Sequence, residues 1–473
     1  MMRSLFSAVS GLKSHQTRMD VIGNNIANVN TTGYKSSRVN FEDMISQTLS
    51  NASSSTDTVG GTNPKQIGLG TGVGSIDLLF TDGSVQSTGK NTDLALSGNG
   101  LFVVKSGNET YYTRDGAFSF DADGNYTLPS SGMYVQGWMA KDGVLNTSGS
   151  ATNIQIPSGK SMASKATSIA TYANNLNAAV ATVKSLAQGA KTNTTAGDSV
   201  TASSTSPVTI TMSDGSIVTE TSGTYTVGYS LPVTTTLTVY DSLGNSHSVP
   251  VYFTKTKTDI TGTTGNEWTV SVNADPRKAT CDPPITESDG STTTVKMSPI
   301  KLKFDTSGKY VSGGESATLK LTNGSQTDQT VALSLNALTQ YSGSSTVNGT
   351  TDGNAAGTLS SVTIDKTGTI TGTYTNGVKQ TEAQVAIAQF TNASGLEKTG
   401  SSLYQVSNNS GTANVKTASD LGVTITPSAL EMSNVDIAEE FSNMIITQRG
   451  FQSNSKMITV GDEMLQTLIN MKQ

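Results

Sequence analysis

The chain has 473 residues, which allows roughly three domains of about 150 residues each. Charged residues make up only 14% and hydrophobic residues 34%, while glycine occurs 47 times, a composition typical of β-sheets joined by many turns. The formal net charge of -6 argues against nucleic acid as the main partner, because phosphate binding favours a positively charged surface.

The first predicted element is a long helix from about Ser4 to Val29, which Gly33 helps to end. Apolar residues recur along it at heptad spacing, the pattern that marks the seam of helices winding around one another. His15 is polar at a seam position, so we expect it to be a register-setting contact or a partly exposed edge. The seam residues are Leu5, Ala8, Leu12, His15, Met19, Ile22, Ile26 and Val29.

The last turns of this helix are crowded with Asn24, Asn25, Asn28 and Asn30. Asparagine is a mediocre helix former that readily hydrogen-bonds the backbone, so this end is predicted to fray or to dock against a polar surface. Residues 36–70 then carry little apolar pattern and include a stretch rich in Ser, Asn, Thr and Gly. They are predicted to be a linker, or an arm that becomes ordered on assembly.

Short alternating strands separated by glycine-containing turns fill the middle of the chain. Asp115-Gly116 and Asp123-Gly124 are predicted to be hairpin turns, and residues 237–253 a hairpin around a turn at 241–245. Residues 164–188 fit either a helix, by their alanines, or strands, by their threonines. From about residue 359 the strand pattern matches the first strand group again, which predicts that the two segments share one domain.

The chain ends in a second predicted helix, capped by Ser433 or Asn434. Besides a heptad row it carries a neighbouring apolar row at helical spacing. One partner helix cannot cover both rows, so adjacent subunits are the predicted cover, and contacts that repeat head-to-tail without closing build filaments. The predicted assembly residues are Ile437, Phe441, Met444, Phe451, Ile458, Leu465 and Ile469, with Met457, Val460, Met464 and Leu468 in the second row.

Residues suited to catalysis or metal binding are scarce. The chain has two histidines and one cysteine, and the standard zinc spacings are missing. The run from Asp121 resembles the opening of a calcium loop, but its twelfth position is Gly132 rather than a glutamate. We therefore predict no enzyme activity, no cofactor and no metal site, and we interpret His247 as a surface residue.

Cys281 is the only cysteine, so no disulfide can form within the chain. Arg277 and Lys278 are close in sequence and would favour its thiolate. An intersubunit covalent bond through Cys281 is one hypothesis, and an incidental buried thiol is the other. The N-terminus is too polar for a signal-peptide core and no stretch approaches about 18 apolar residues, so neither a cleaved signal nor a membrane span is expected.

Several motifs resemble the bacterial flagellar rod and hook proteins. They are SGLKSHQTRMDVIGNNIANVNTTGYK at 10–35, TDLALSGNGLFVV at 92–104, YYTRDGAFSFDADGNY at 111–126, VQGW at 135–138 and the segment 433–472. VYDSLGNSHSVPVYF at 239–253 and the run at 385–411 are similar to the hook members of that family. In some relatives a hook cysteine is joined to a lysine of the neighbouring subunit, but Cys281 lies outside the matched motifs.

This resemblance implies a mainly β fold with terminal α-helices, in which discontinuous β-rich domains are nested on a coiled-coil-like core of the two ends. The expected parts are a helical core (1–35 and 430–473), the linker or arm (36–70), a discontinuous β domain (71–146 and 343–429) and an inserted outer β domain (147–342). The terminal helices would line a central export channel.

The implied function is that of a structural subunit of the flagellar hook, a curved flexible tube between rod and filament. The implied partners are identical subunits, the rod, hook-cap and hook–filament junction proteins and the flagellar type III export apparatus, which would carry the chain outside the cell without a cleaved signal. The alternatives are a distal rod subunit, which would lack the large insert, and a secreted β-rich binding protein.

Overall fold

A computed structural model describes residues 2–471 except 56, 58, 259–264, 288–289, 291, 315–316 and 323–328, and it leaves out the side chains of residues 2, 317 and 468. Within the described chain, two long helices stand at the ends, α1 (Met2–Ala27) and α2 (Ile437–Asn470), and nearly everything between them is β-structure. The predicted fold class, mainly β with terminal helices, is confirmed.

The helix ends differ slightly from the prediction. Helix α1 stops at Ala27, and Gly33 then adopts a left-handed φ of 64°, which glycine tolerates without strain. Helix α2 is capped by Asp436, whose side chain accepts hydrogen bonds from the amides of Ala438 (2.8 Å) and Glu439 (3.2 Å). The prediction of Ser433 or Asn434 as the cap was wrong, because the Asn434 side chain is used elsewhere, bonding the Ser36 amide at 2.8 Å.

The strands of the N-terminal part follow α1 without a long gap. They are β1 (Ser37–Asp43), β2 (Ser46–Ser50), β3 (Lys65–Gly68), β4 (Thr71–Leu78), β5 (Val85–Ser87), β6 (Leu94–Ser97), β7 (Leu101–Ser106), β8 (Glu109–Thr113), β9 (Ser119–Phe120), β10 (Tyr126–Leu128), β11 (Met133–Lys141), β12 (Val144–Leu145) and β13 (Thr152–Asn153).

The middle of the chain continues as β-structure. Its strands are β14 (Ser161–Met162), β15 (Ile169–Asn177), β16 (Val183–Gln188), β17 (Lys191–Asn193), β18 (Ser199–Ala202), β19 (Val208–Met212), β20 (Ile217–Glu220), β21 (Gly223–Thr226), β22 (Val233–Tyr240), β23 (Ser246–Lys257), β24 (Glu267–Ser271), β25 (Ile285–Thr286), β26 (Thr292–Lys296), β27 (Ile300–Phe304), β28 (Tyr310–Ser312), β29 (Ala317–Thr322), β30 (Gln329–Tyr341) and β31 (Asn348–Thr351).

The last strands lead to α2. They are β32 (Gly357–Ile364), β33 (Thr369–Tyr374), β34 (Lys379–Val385), β35 (Ile387–Gln389), β36 (Glu397–Gly400), β37 (Leu403–Gln405), β38 (Asn414–Lys416), β39 (Thr424–Pro427) and β40 (Ala429–Glu431), with a short 3-10 helix at Ala393–Gly395. The stretch 36–70, predicted to be a linker or arm, contains three of the strands, and β1 pairs with β4 alongside α1.

The described chain divides into two compact units. Unit 1 comprises residues 1–160, 359–374 and 379–473, and unit 2 comprises 161–358 with the turn 375–378. The predicted insert of 147–342 thus begins and ends too early. Ile154 and Ile156 are buried in the core of unit 1, so residues before 161 belong there, whereas β31 pairs with β15 inside unit 2.

One sheet in unit 1 joins strands that lie far apart in the sequence. Its order includes β33-β34-β11-β7-β8-β37-β36, so strands that precede the insert in the sequence lie between strands that follow it. On β7, Phe102 and Val104 pack into one core while Leu101 and Val103 pack into another on the opposite face. A strand buried on both faces accounts for the unbroken apolar run LFVV. Gly137 of β11 lies against the carbonyl of Gln384, where a Cβ would clash.

Unit 2 has two separate cores. The larger packs β22 to β24 and β27 against β15 and β30, around Tyr172, Phe253 and Trp268. The smaller lies within residues 183–227, around Leu186, Val208 and Ile210. Residues 164–188, which the sequence left open between helix and strands, form β15 and β16, and the predicted hairpin of residues 237–253 is confirmed as β22–β23.

One turn design recurs at four hairpins, beginning at Asp121, Asp241, Asp305 and Asp365. In each, the aspartate carboxylate accepts hydrogen bonds from the backbone amides two and four residues later. The glycine three residues after the aspartate donates its backbone amide to the aspartate carbonyl. The calcium-like run from Asp121 is therefore turn chemistry. Asp115-Gly116 is no hairpin turn, because β8 pairs with β7 and β37, and Gly116 instead passes against the Leu94 carbonyl.

Asp352 fixes the start of β15 in unit 2. Its carboxylate accepts the amides of Ser168 and Ile169, both at 2.9 Å, and the Ser168 hydroxyl at 2.7 Å, and it pairs with Lys165 at 3.1 Å. Burial alone would raise the pKa of Asp352, but these hydrogen bonds outweigh it and hold the pKa well below its usual range.

We expect Asp352→Asn to lower the free energy of unfolding of unit 2 by about 1–2 kcal/mol at pH 7, because two amides lose a charged acceptor. A depressed folded-state pKa stabilises the fold above the unfolded value of about 3.9, so the difference from wild type should shrink as the pH falls below that value. Urea unfolding followed by Trp268 fluorescence in a Trp138→Phe background measures this. Asp282→Asn, at an exposed ion pair, is the control. A pH-independent difference would contradict the assignment.

Candidate assembly site

The terminal helices pair antiparallel to each other. Near one end of the pair, the Asn25 side chain donates a 2.7 Å hydrogen bond to Glu440. About two turns earlier on α1, Arg18 donates to Asn443 at 3.2 Å. Towards the other end, Leu5 lies against Gly461. The prediction that the two ends of the chain pair with each other is confirmed.

The face of α2 that meets α1 consists mainly of small and polar residues. Thr447 and Gly461 are buried there, and Gly450 and Asn454 contact His15 and Gly11 respectively. The apolar heptad row was expected to occupy this seam. It does so only in part, because Met444, Ile458 and Leu465 are half-buried whereas Ile437 and Phe451 are exposed.

The predicted residues of α1 are mostly covered within one chain. Ala8 and Ile22 are buried, whereas Leu5, Leu12, Met19, Ile26 and Val29 are half-buried. Phe6 and Val9, which the heptad reading passed over, are exposed on the outer side of the helix. A search for apolar residues off the heptad would have found them.

The predicted residues of α2 are mostly uncovered. Met444, Ile458 and Leu465 are half-buried, and the side chain of Leu468 lies outside the described part of the structure. Ile445 and Ile446 were missed by the sequence reasoning and are 57% and 61% exposed. The predicted residues that α2 exposes are Ile437, Phe441, Phe451, Met457, Val460, Met464 and Ile469.

A buried charge cluster anchors both helices to the sheet of unit 1. Glu431, just before α2, accepts Lys35 Nζ at 2.6 Å on one oxygen and Arg114 Nη1 at 2.8 Å on the other. All three side chains are essentially inaccessible. Lys35 also donates to the Thr81 carbonyl at 2.6 Å, and Arg114 donates to the carbonyls of Leu96 and Gly98. Burial lowers the pKa of Lys35, although Glu431 acts in the opposite sense.

Asn25 completes this anchor at the end of α1. Its side-chain amide bonds both the Ser37 carbonyl at 2.9 Å and Glu440 of α2, and its oxygen accepts the Ser37 amide at 3.0 Å. Tyr34 donates to the same oxygen at 3.3 Å. Of the two expectations for the asparagine-rich end, docking against a polar surface is therefore the correct one for Asn25. Burial raises the pKa of Glu440.

His247 does not lie where the sequence suggested, whereas Cys281 is buried, as one of its two hypotheses expected. His247 is only 5% exposed, with Nδ1 at 2.8 Å from Glu287 and Nε2 at 3.7 Å from Asp241, so the surface reading was wrong. Its covering partner Glu287 comes from another part of unit 2, which no local pattern shows. Cys281 is 6% exposed, and burial, followed by Asp282, raises the pKa of its thiol. The expected activation of the thiolate was wrong, and the intersubunit bond stays a hypothesis.

Other kinds of site find no support among the residues that the structure describes. No group of histidine, cysteine and acidic side chains there is arranged to hold a metal ion. A cleft of about 430 Å³ beside the end of α1 is lined mainly by polar residues, among them Thr31, Thr32, Asp115, Lys398 and Ser402. No helix in the described part is long and apolar enough to cross a membrane.

Family models match four stretches of the chain. Residues 5–35 match the flagella basal body rod protein model, and 95–173 the flagellar hook protein FlgE/F/G D1 domain. Residues 223–354 match the flagellar basal body protein FlaE D2 domain, and 426–471 the C-terminal model of the flagellar basal body rod FlgEFG proteins. With its paired terminal helices and β units, the chain is thus a flagellar axial protein of the rod and hook class.

Full-length relatives narrow the class. The chain is 39% identical to the flagellar hook protein FlgE of Borreliella burgdorferi and 38% identical to that of Treponema pallidum, covering 100% of both chains in each case. It is 28% identical to the flagellar basal-body rod protein FlgG of Bacillus subtilis, again over 100% of both chains. A solved Helicobacter pylori hook protein, FlgE2, aligns with a TM-score of 0.49 at 17% identity, covering 73% of this chain and 100% of that one. The chain belongs to the flagellar hook protein FlgE family.

We expect Glu431→Ala to lower the free energy of unfolding of unit 1 by about 3–5 kcal/mol, because it leaves two buried cations without their shared partner. Urea unfolding followed by Trp138 fluorescence in a Trp268→Phe background measures the change. Arg38→Ala is the matched control, since Arg38 is exposed and lies 3.7 Å from Asp77, and it should cost less than about 1 kcal/mol. Equal effects of the two variants would show that the buried cluster is not an anchor.

Proposed function

We propose that this chain is a structural subunit of the bacterial flagellar hook and that α2 supplies its main contacts with neighbouring copies. The observation that carries the proposal is the uncovered apolar surface of α2 in a chain of the hook protein family. At 3.6 residues per turn, Ile437, Phe441 and Ile445 fall on one side of the α1-facing seam, and Ile446, Val460 and Met464 on the other.

Two exposed apolar rows of α2 require cover from outside the chain. One consists of Ile437, Phe441 and Ile445, and the other of Ile446, Val460 and Met464. Burying such a side chain fully contributes about 1.5–3 kcal/mol, so leaving both rows in water would be costly. Helix α1 already occupies the side between them. Exposed contiguous apolar surface of this kind marks interaction sites, and a row on each side of the helix suits contacts with two different neighbours, which is what a repeating polymer requires.

The β2–β3 part of the arm is a second contact surface in this proposal. Strands β2 and β3 form an isolated two-stranded hairpin, a structure that is marginally stable alone in water. On one face Gln66 donates to the Thr48 hydroxyl at 3.1 Å, whereas Ile67 and Ile45 are exposed. Cover from a neighbouring copy would complete the arm, in keeping with its predicted ordering on assembly.

The other parts of the proposal come from the family. The β units would lie outside the helical layer, and the rod, hook-cap and hook–filament junction proteins and the type III export apparatus would be the chain's partners in the flagellum. A distal rod subunit is not favoured, since the relatives named as hook proteins are the more similar ones. A secreted binding protein is not favoured either.

We expect Ile445→Asp and Met464→Asp, one on each apolar row, to abolish polymer formation while both β units stay folded. An aspartate at either position would place a charge in a dry contact between subunits. Sedimentation and negative-stain microscopy measure the polymer, and fluorescence of Trp138 and Trp268 reports the two units. Ile458 and Leu465 are less suitable because both are half-buried beside α1.

Val144→Asp is the matched control, because Val144 is more exposed than Ile445 and Met464 but lies on the β-sheet, away from the helices. It should leave polymer formation unchanged. Normal tubes from both helix variants would refute the assignment of α2 as the subunit contact.

We also expect a chain without residues 161–358 to form straight rather than curved tubes. The low charge and the many Ser and Thr residues of unit 2 suit polar contacts that slide as the tube bends. The Leu359 amide bonds the Lys160 carbonyl at 2.9 Å, so a short Gly-Ser linker can join the two cut ends without straining unit 1. Electron microscopy of the polymer decides the outcome. If the shortened chain folds but forms no polymer, the helices and the arm are insufficient for assembly.

A further inference from the structure

The contact between α1 and α2 is built from side chains seated over glycines. A Cβ added to Gly450 would lie 2.6 Å from the imidazole of His15. The ring cannot easily move away, because it packs edge-on against Phe41, with 5.6 Å between ring centroids. Its Nδ1 is buried without a hydrogen-bond partner among the described residues, so close packing rather than hydrogen bonding at Nδ1 holds it there.

Two further contacts follow the same principle. A Cβ at Gly461 would lie 2.7 Å from Leu5, and a Cβ at Gly11 would lie 2.9 Å from the amide of Asn454. His15 and Leu5 of α1 therefore lie over glycines of α2, and Asn454 of α2 lies over a glycine of α1. By contrast, Gly23 of α1 has nothing within 4 Å of an added Cβ.

These glycines fit only one alignment of the helices. Helix α2 contains two glycines, Gly450 and Gly461. Sliding α2 by one heptad would put Met457 or Asn443 opposite His15, and sliding it by one turn would put Ile446 or Asn454 there. Each residue is larger than glycine, and overpacking a tight contact is destabilising.

We propose that His15 and Gly450, supported by Leu5 with Gly461 and Gly11 with Asn454, are positioning residues that fix the register and rotation of α2 on α1. This inference rests on the proposed function. The fixed rotation turns the small and polar face of α2 inwards, and it thereby holds the two apolar rows outwards for neighbouring copies. His15 is the register-setting residue because it is the least movable of the inserted side chains.

The test uses full-length chains carrying Gly450→Ala, His15→Ala, both substitutions together, or Gly23→Ala. Alanine at Gly450 should lower the hydrogen-exchange protection of α1 and α2 amides by roughly tenfold or more, and the polymer yield with it. The double variant should recover protection relative to Gly450→Ala, since the smaller residue at position 15 makes room for the new methyl group. Gly23→Ala should keep or raise protection, because alanine favours helix and meets no obstacle.

The outcomes separate this inference from the proposed function. If Gly450→Ala behaves like Gly23→Ala, or if the amides of α1 and α2 are unprotected in the wild-type soluble chain, the register role is overturned. If the double variant is no better than Gly450→Ala, the contact does not act through His15 and the inference also falls. Failure of the wild-type chain to form any polymer would instead contradict the proposed function. Trp138 and Trp268 fluorescence confirms that each variant keeps its β units folded.

Discussion

The arrangement of the terminal helices within unit 1 depends on the buried ion cluster of Glu431 with Lys35 and Arg114. Lys35 follows α1, Glu431 precedes α2, and Arg114 comes from the end of a sheet strand, so one set of charges ties both helices to the sheet. Each charge is out of water, and such groups are tolerated only when they are fully paired and hydrogen-bonded. The carbonyls of Thr81, Leu96 and Gly98, the Asp82 carboxylate and the Gly83 amide supply further partners. Arg114 Nε is buried without a hydrogen-bond partner among the described residues. Because the cluster joins positions nearly four hundred residues apart, it places the two terminal helices side by side and lets their short-range contacts form.

The helices themselves invert the usual division between core and surface. Small and polar groups lie between α1 and α2, while apolar side chains such as Phe441, Ile446 and Met464 face away from the pair. In a protein that acts alone this pattern would be unfavourable. The pattern is favourable when many copies of the helix pair pack together. The helices of one subunit then need only enough contact to set their register, because neighbouring subunits cover their apolar surface. Glycines at the contact serve that purpose, because His15 and Leu5 of α1 each lie over a glycine of α2.

Sequence patterns correctly predicted those features of the fold that depend on interactions between neighbouring residues. The heptads, the LFVV strand and the hairpin around Asp241 were all readable, because periodicity and turn chemistry depend on neighbouring residues. Most of the misreadings involve distant partners. No residue near His247 in the sequence indicates its contact with Glu287, the local charges near Cys281 do not show that burial raises the pKa of its thiol, and the apolar heptad of α2 could not reveal that Gly450 faces α1. Lys35, Glu431 and Arg114 each look like ordinary surface charges until the fold brings them together. The one visible signal was that Lys35 and Arg114 lie within strongly patterned motifs.

Two inserted segments of the chain share one feature, which is that the two ends of each segment are joined by hydrogen bonds. The ends of the segment that forms unit 2 are bridged inside unit 1, where the Leu359 amide bonds the Lys160 carbonyl. Within unit 2, the segment from Thr182 to Ser230 closes on itself through a bridge between these residues and has its own apolar core. A segment whose ends already meet costs its host little entropy of loop closure, whatever its length. The family models that match 95–173 and 223–354 leave most of this smaller segment unmatched between them. The constraint on such a segment is that its ends meet, whereas the helices are constrained along their whole length by their contacts.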